Sequence, residues 1–237
     1  FNDEGTPGSR FNDDSYAKNL VPSWGYPSSD NHILVGLSEG KRGYPIPIGR
    51  LSVTSNYAVL NYLNKVIGLE NQQGLNNAYT IENKSWQKNI AHFGGGSSAS
   101  EQNYILSNFE IFENIIGDSY YGGLVKTFDY NPDELVANPF EFQEIQEILE
   151  NGISLMTIFG HASSGGGFSL NIDDPEYWNN PDKYPMVIGL GCNAGDVHNP
   201  DTSSYSEALL RPEQSGAIGF ISTIREGFTP YINTYTK

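Results

Sequence analysis

The chain reads as an α/β protein with a mainly parallel β-sheet and helices on both faces, and three observations predict it. The runs "ISLMTIF", "YPMVIGL" and "GAIGFIST" are near-continuously apolar over lengths that suit strands covered on both faces. They alternate with segments of helical period, the signature of βαβ units. With 237 residues, 38% apolar and only 17% charged, the chain has the material for a full core without a disulfide or metal staple.

Residues 1–30 are dense in Gly, Pro, Asn, Asp and Ser and predict loop. Residues 1–50 are accordingly expected to be a loop-rich N-terminal part, and 51–237 the domain that carries the sheet. Within the first part, "NHILVGL" predicts a short strand, followed by the turn-rich "SEGKRGYP" and the strand-like "IPIGRLSV". The stretch "NYAVLNYLNKVIGLE" predicts a helix capped by Asn56, with Val59, Leu60, Leu63, Val66 and Ile67 on its apolar face. Next come a strand "NIAHF" running into "GGGSS", and a helix in which Ile105, Leu106, Phe109, Phe112 and Ile116 share one side. A strand "GLVKTFDY" follows. The helix "NPFEFQEIQEILENG" has Asn138 as N-cap, Pro139 at its first position, Glu141 in its first turn and Gly152 just past its end.

Charge narrows the partners. A net charge of −15 with only 13 Lys and Arg argues against a nucleic-acid surface, which needs clustered cations. No run of about 18 apolar residues is present, so membrane insertion is not expected. The single cysteine excludes an internal disulfide and a multi-thiolate zinc site.

In parallel sheets, ligands bind beyond the carboxyl ends of the strands. After "ISLMTIF" comes "GHASSGGGF", and after "YPMVIGL" comes "GCNAGD", so one sheet edge presents both His161 and Cys192. A lone thiol is ordinarily an inert small hydrophobe and a lone histidine a satisfied core residue. Together they suit acyl transfer: the thiolate attacks and the imidazole manages the proton. The backbone N–H groups of Cys192 and Ala162 are the natural oxyanion donors, with Gly160, Gly191 and Gly195 allowing the sharp turns that expose them.

These stretches resemble the gingipain-type cysteine peptidases (family C25, caspase-like clan). The resemblance rests on "NGISLMTIFGHASSGGGF", "YPMVIGLGCNAGDV" and "YSEALLRPEQSGAIGFISTI", with "VPSWGYPSSDNHI", "PIPIGRLSV" and "SWQKNI" upstream in the same order. It covers roughly residues 20 to 225 and implies a caspase-like catalytic domain, with His161 as catalytic histidine, Cys192 as nucleophile, and Ala162 and Cys192 as oxyanion donors. It further implies a peptide or protein substrate, further domains in a longer chain, and a secreted or bacterial cell-surface location. Two positions depart from the family. Where its arginine-specific members carry a histidine-orienting acid at the end of an upstream strand, this chain has "HFGGGSS" and no carboxylate; where they carry a specificity aspartate, it has Asn103. Asn103 and Glu101, two positions earlier, are therefore the candidate substrate-binding residues.

No cofactor is required for this chemistry. Oxygen-rich "NIDDP" (Asn171, Asp173, Asp174), "FNDE" and "FNDD" offer a structural calcium site or plain turn chemistry. A local site of Cys192, Asp196 and His198 has one soft ligand and no flanking set. The leading expectation is a cysteine endopeptidase working through a thioester. Its rivals are a transpeptidase of secreted-protein maturation, which uses the same dyad, and an inactive surface binding domain, which the missing carboxylate favours.

Overall fold

The computed structural model describes residues 21, 23, 29–34, 37, 46–74, 80–129, 139–163, 167–168, 170, 172, 174–198 and 203–232, with the backbone alone for 32 and 139–142. Strands β1 (Asn89–Gly95), β2 (Leu124–Asp129), β3 (Leu155–Gly160), β6 (Met186–Leu190) and β7 (Gly219–Ser222) form one sheet. Its order is β2-β1-β3-β6-β7 and every neighbouring pair is parallel. A two-residue hairpin, β4 (Ala162–Ser163) with β5 (Gly167–Phe168), follows β3. The helices of six residues or more among the described residues are α1 (Asn56–Gln73), α2 (Ala99–Ile116), α3 (Pro139–Asn151) and α4 (Tyr205–Leu210).

Alternation along the strands sorts the core into two layers. Ala91, Phe93, Met156, Ile158 and Val187 face one side, where Ile145 and Leu149 of α3 and Leu209 of α4 cover them. Phe159, Leu190 and Ile188 face the other, under Ile105, Phe109 and Phe112 of α2. Helices therefore lie on both faces, as the apolar runs predict, and the predicted stripe of α2 is the one that packs. Gly152 closes α3 at φ +95, donating its N–H to Ile148 O, as its place past the helix end requires. Asn138, the expected cap of α3, lies outside the described residues, as does most of the expected loop-rich region 1–50.

Three local expectations are corrected. The cap of α1 is Ser55, whose side chain accepts from the Ala58 N–H, not Asn56. Its predicted apolar face is largely exposed: Leu60 at 58%, Leu63 at 48% and Ile67 at 54%, while Lys65 and Leu69 are buried. Periodicity groups residues on a face; polar anchors decide which face turns inward. Here the Lys65 ammonium donates to Ser215 O at 2.7 Å and lies 4.7 Å from the Tyr184 ring centroid. Burial pushes the lysine down to about 7. Finally, neither "NHILVGL" nor "IPIGRLSV" yields a strand among the described residues. Asn31–Leu34 form a 3-10 turn. Residues 48–53 line a cavity of about 520 Å³ together with Phe220, Ile221 and Ser222 of β7. No strand pairs with this segment among the described residues.

His92 of β1 sits in the α2-side core, fully buried, stacked on Phe109 with ring centroids 4.7 Å apart and bonded through Nδ1 to Thr157 Oγ1. Burial pushes its pKa down to about 4, so the ring is neutral at pH 7. At the carboxyl ends of β3 and β6 two glycines sit where a side chain has no room. A Cβ on Gly191 would meet Ala162 Cβ at 2.7 Å and Gly160 O at 2.9 Å, and one on Gly160 would meet Gly95 O at 2.7 Å. Neither glycine has positive φ; in this turn that conformation belongs to Asn193, at φ 57. The glycines flanking the two candidate residues thus serve close approach rather than sharp turning.

Two outcomes follow for stability. Because the unfolded state binds the His92 proton more tightly (ordinary value 6.5 against about 4 folded), stability is full above pH 6.5 and falls as pH drops toward 4. Thermal or denaturant unfolding of His92→Phe should lack that component, worth ~2 kcal/mol between pH 7 and 5; parallel pH curves for the two proteins would count against it. Gly191→Ala should lower stability by about 1–3 kcal/mol through overpacking, measured by denaturant melts.

Candidate active site

The site forms where the order of the sheet reverses. From β1 the chain crosses to β2 on one side and returns through α3 to β3 on the other, leaving a crevice at the carboxyl ends of β1 and β3. The β3–β6 ladder pairs Leu155 with Met186 through Phe159 with Leu190, a constant offset of 31. His161 and Cys192 stand at the same offset, two residues past the last paired rung, on strands spaced about 4.8 Å apart. Register alone brings the imidazole and the thiol to neighbouring strand ends.

The turn after β6 is fixed by its backbone. Asn193 N–H donates to Arg225 O at 2.8 Å and Gly195 N–H to Thr223 O at 2.9 Å, while Thr223 Oγ1 donates to Gly191 O. Ser206 N–H, in the first turn of α4, donates to Ala194 O at 3.1 Å. Cys192 is half-buried and is the only cysteine of the chain. Its Sγ lies 3.9 Å from Gly227 O, and its own N–H has no hydrogen-bond acceptor among the described residues. Ala162 occupies β4 opposite Phe168 and has negative φ, so its backbone carries no left-handed strain.

His161 is exposed, with its backbone N–H on Gly95 O at 3.3 Å. Its Nε2 lies 3.1 Å from Glu101 Oε2. The carboxylate missing from the end of β1 is thus supplied from six residues further on, in the first turn of α2. Ser98 caps that helix by accepting from the Glu101 N–H, and Glu101 Oε2 accepts from the Ser97 N–H at 2.9 Å and Ser97 Oγ at 2.8 Å. Glu101 Oε1 accepts from Thr229 Oγ1 at 2.9 Å. Burial pushes the Glu101 carboxyl up, but the hydrogen bonds from Ser97, His161 and Thr229 outweigh it and hold the group down at about 2. It is an anion throughout the neutral range.

Gln102, the next residue, ties the end of β1 to α2. Its side chain accepts from the Gly96 N–H at 2.6 Å, donates to Gly94 O at 3.1 Å, and reaches Asp129 Oδ1 at the end of β2. The helix start, and with it Glu101, is pinned to two strands.

Of the residues singled out from the sequence, His161, Cys192, Ala162 and Glu101 converge at this edge. Asn103 is exposed on α2. Glu101, expected beside a substrate side chain, spends one carboxylate oxygen on His161. The signal that locates it is local: "SASE" at 98–101 is a helix-capping pattern directly after a strand-ending glycine run, which sets a carboxylate at the strand's carboxyl edge. Thr229 and Ser97 carry no sequence signal for their roles. As for metals, Asp174 caps a 3-10 turn by accepting from the Glu176 N–H, and His198 Nδ1 bonds Ser23 Oγ at 3.2 Å. Asn171, Asp173, "FNDE" and "FNDD" lie outside the described residues. No group of three or more His, Cys, Asp or Glu suited to a metal occurs among the described ones, and none of their helices is long and apolar enough to cross a membrane.

Comparison with known proteins bears on this arrangement. The chain is similar in fold to the complex of Porphyromonas gingivalis RgpB pro- and mature domains (TM-score 0.62, 19% identity, 87% of this chain and 47% of that one). It is similar also to the Arg-specific cysteine proteinase gingipain R (TM-score 0.57, 16% identity, 88% and 47%). A third solved structure, described as a protease, gives a TM-score of 0.56 at 17% identity over 75% and 36%. The chain spans less than half the length of these solved chains. No curated protein matches it. The α/β fold with its mainly parallel sheet is therefore the caspase-like one. The model of peptidase family C25 matches residues 6–237, almost the whole sequence, and the chain belongs to that family.

Proposed function

We propose that the chain is the catalytic unit of a cysteine endopeptidase in which Cys192 is the nucleophile and His161, held by Glu101, moves the proton. The observation that carries this reading is the shared offset of 31, which sets His161 and Cys192 on adjacent strand ends with an ionised carboxylate on the far nitrogen of the ring. That carboxylate also removes the chief reason to read the domain as inactive.

The chemistry follows from the positions. With Nε2 engaged by Glu101, Nδ1 is the nitrogen left for Cys192 and the substrate. The Cys192 thiolate attacks the peptide carbonyl carbon, forming a C–S bond and pushing the carbonyl electrons onto oxygen. The N–H groups of Cys192 and Ala162 receive that oxyanion. As the C–N bond breaks, His161 passes its proton to the departing amine, leaving a thioester. A water molecule then attacks the thioester while His161 takes its proton, and loss of the carboxylic acid restores the thiolate. Glu101 takes no proton; it fixes the ring's orientation and tautomer and stabilises the imidazolium. A protein substrate outside the cell or at its surface, as the family resemblance implies, belongs to the same reading.

Hydrolysis of fluorescein-labelled casein tests the roles separately. Cys192→Ala should abolish it, and undiminished activity in that variant would refute the reading. Glu101→Gln keeps the shape of the side chain but removes its charge, and should lower kcat/KM on the order of 10²-fold with the fold intact by circular dichroism. Since Glu101 is held near 2, wild-type activity should show no inflection from this group between pH 4 and 9.

A further inference from the structure

The segment after β7 touches the site at three points. Thr223 Oγ1 donates to Gly191 O, Gly227 O lies 3.9 Å from Cys192 Sγ, and Thr229 Oγ1 donates to Glu101 Oε1 at 2.9 Å. The third contact bridges 128 residues of sequence and joins this segment to the histidine side of the site rather than the cysteine side.

The two oxygens of Glu101 are not equivalently held. Oε2 carries the Ser97 N–H, the Ser97 hydroxyl and the His161 ring, whereas Oε1 has Thr229 as its one partner among the described residues. The terminal torsion of a glutamate is broad and has no staggered well to lock it. A donor on one oxygen leaves the carboxylate plane free to swing; donors on both fix it. Thr229 is itself well placed to resist that swing. It opens the 3-10 turn Thr229–Tyr231, which Tyr231 N–H closes on Phe228 O at 2.9 Å, and the next residue, Ile232, is 1% exposed in the core against Ile105 and Phe109.

We propose that Thr229 is a positioning residue for the peptidase reaction: its hydroxyl fixes the plane of the Glu101 carboxylate, and through it the ring of His161. Among the described residues no hydrogen bond joins Thr229 to the thiol or the imidazole, and its link to the site runs through Glu101. The proposal rests on the peptidase reading for its consequence in catalysis, but the tether itself is a property of Glu101 and is measurable without turnover.

The test compares Thr229→Val, which keeps the shape and loses the hydroxyl, with Thr229→Ser, which keeps the hydroxyl, in the full chain. The readouts are kcat and KM on fluorescein-labelled casein, and the titration of the ¹³C-labelled Glu101 carboxyl by NMR. Thr229→Val should lower kcat about tenfold with KM little changed, since a hydrogen bond to a charged group is lost away from the substrate. It should also raise the Glu101 midpoint, because one of the bonds favouring the anion is gone. Thr229→Ser should restore both. Unchanged kcat and midpoint in Thr229→Val, or an equal loss in both variants, would overturn the proposal. If the wild-type chain hydrolyses no casein, the titration decides alone. A midpoint raised by valine and restored by serine upholds the tether while the peptidase reading fails; an unmoved midpoint overturns the tether.

Discussion

The arrangement depends on the parallel ladder between β3 and β6 and on how closely those strands approach at their carboxyl ends. Ladder register sets His161 level with Cys192, and it is specified by burial on both faces: slipping β6 by one residue would exchange Val187 for Ile188 between two different core layers. Gly160 then lets the end of β3 lie close to Gly95 of β1, and Gly191 lets the end of β6 stay close to β3, where a Cβ would meet Phe168, Ala162 and Gly160 O. Two core layers and two missing side chains thus fix the spacing of the reactive pair before any polar contact is made.

The polar contacts refine that spacing from a third direction. Glu101 reaches His161 because α2 begins directly at the end of β1, held there by the Ser98 cap and the Gln102 bridge to β1 and β2. An N-terminal helix turn already favours an anion through its free N–H groups and its dipole. Here that anion's carboxylate carries hydrogen bonds from Ser97 and Thr229 and turns toward an imidazole, so a common helix-start device gains a second role. Because its donors keep the carboxyl at about 2, its charge is constant across the neutral range.

Much of this was legible in the sequence, and the exceptions are physical. Continuous apolar runs identify β3 and β6 because burial leaves no polar alternation there, and "FGHAS" and "LGCNAGD" follow those runs. The run "GAIGFIST", expected to be covered on both faces, is instead the end strand β7 with Ile221 47% exposed, because an apolar run does not encode its place in the sheet. The inward face of α1 was not legible: its apolar stripe is real, but Lys65 reaches backbone carbonyls and the Tyr184 face, and the helix turns that side in. The strand expected at "IPIGRLSV" is absent among the described residues because extended sequence does not by itself supply a partner edge. Glu101 was visible as a residue but not as a partner of His161. That pairing depends on the crossover order of the sheet, which brings the start of α2 beside the end of β3, and no spacing along the chain encodes it.

The most direct measurement is covalent. Treating the chain with a peptidyl acyloxymethyl ketone at neutral pH and mapping the adduct by mass spectrometry should show a single thioether on Cys192, formed at least tenfold more slowly in His161→Ala. No adduct, or equal rates in the two proteins, would contradict an activated thiol at this strand end.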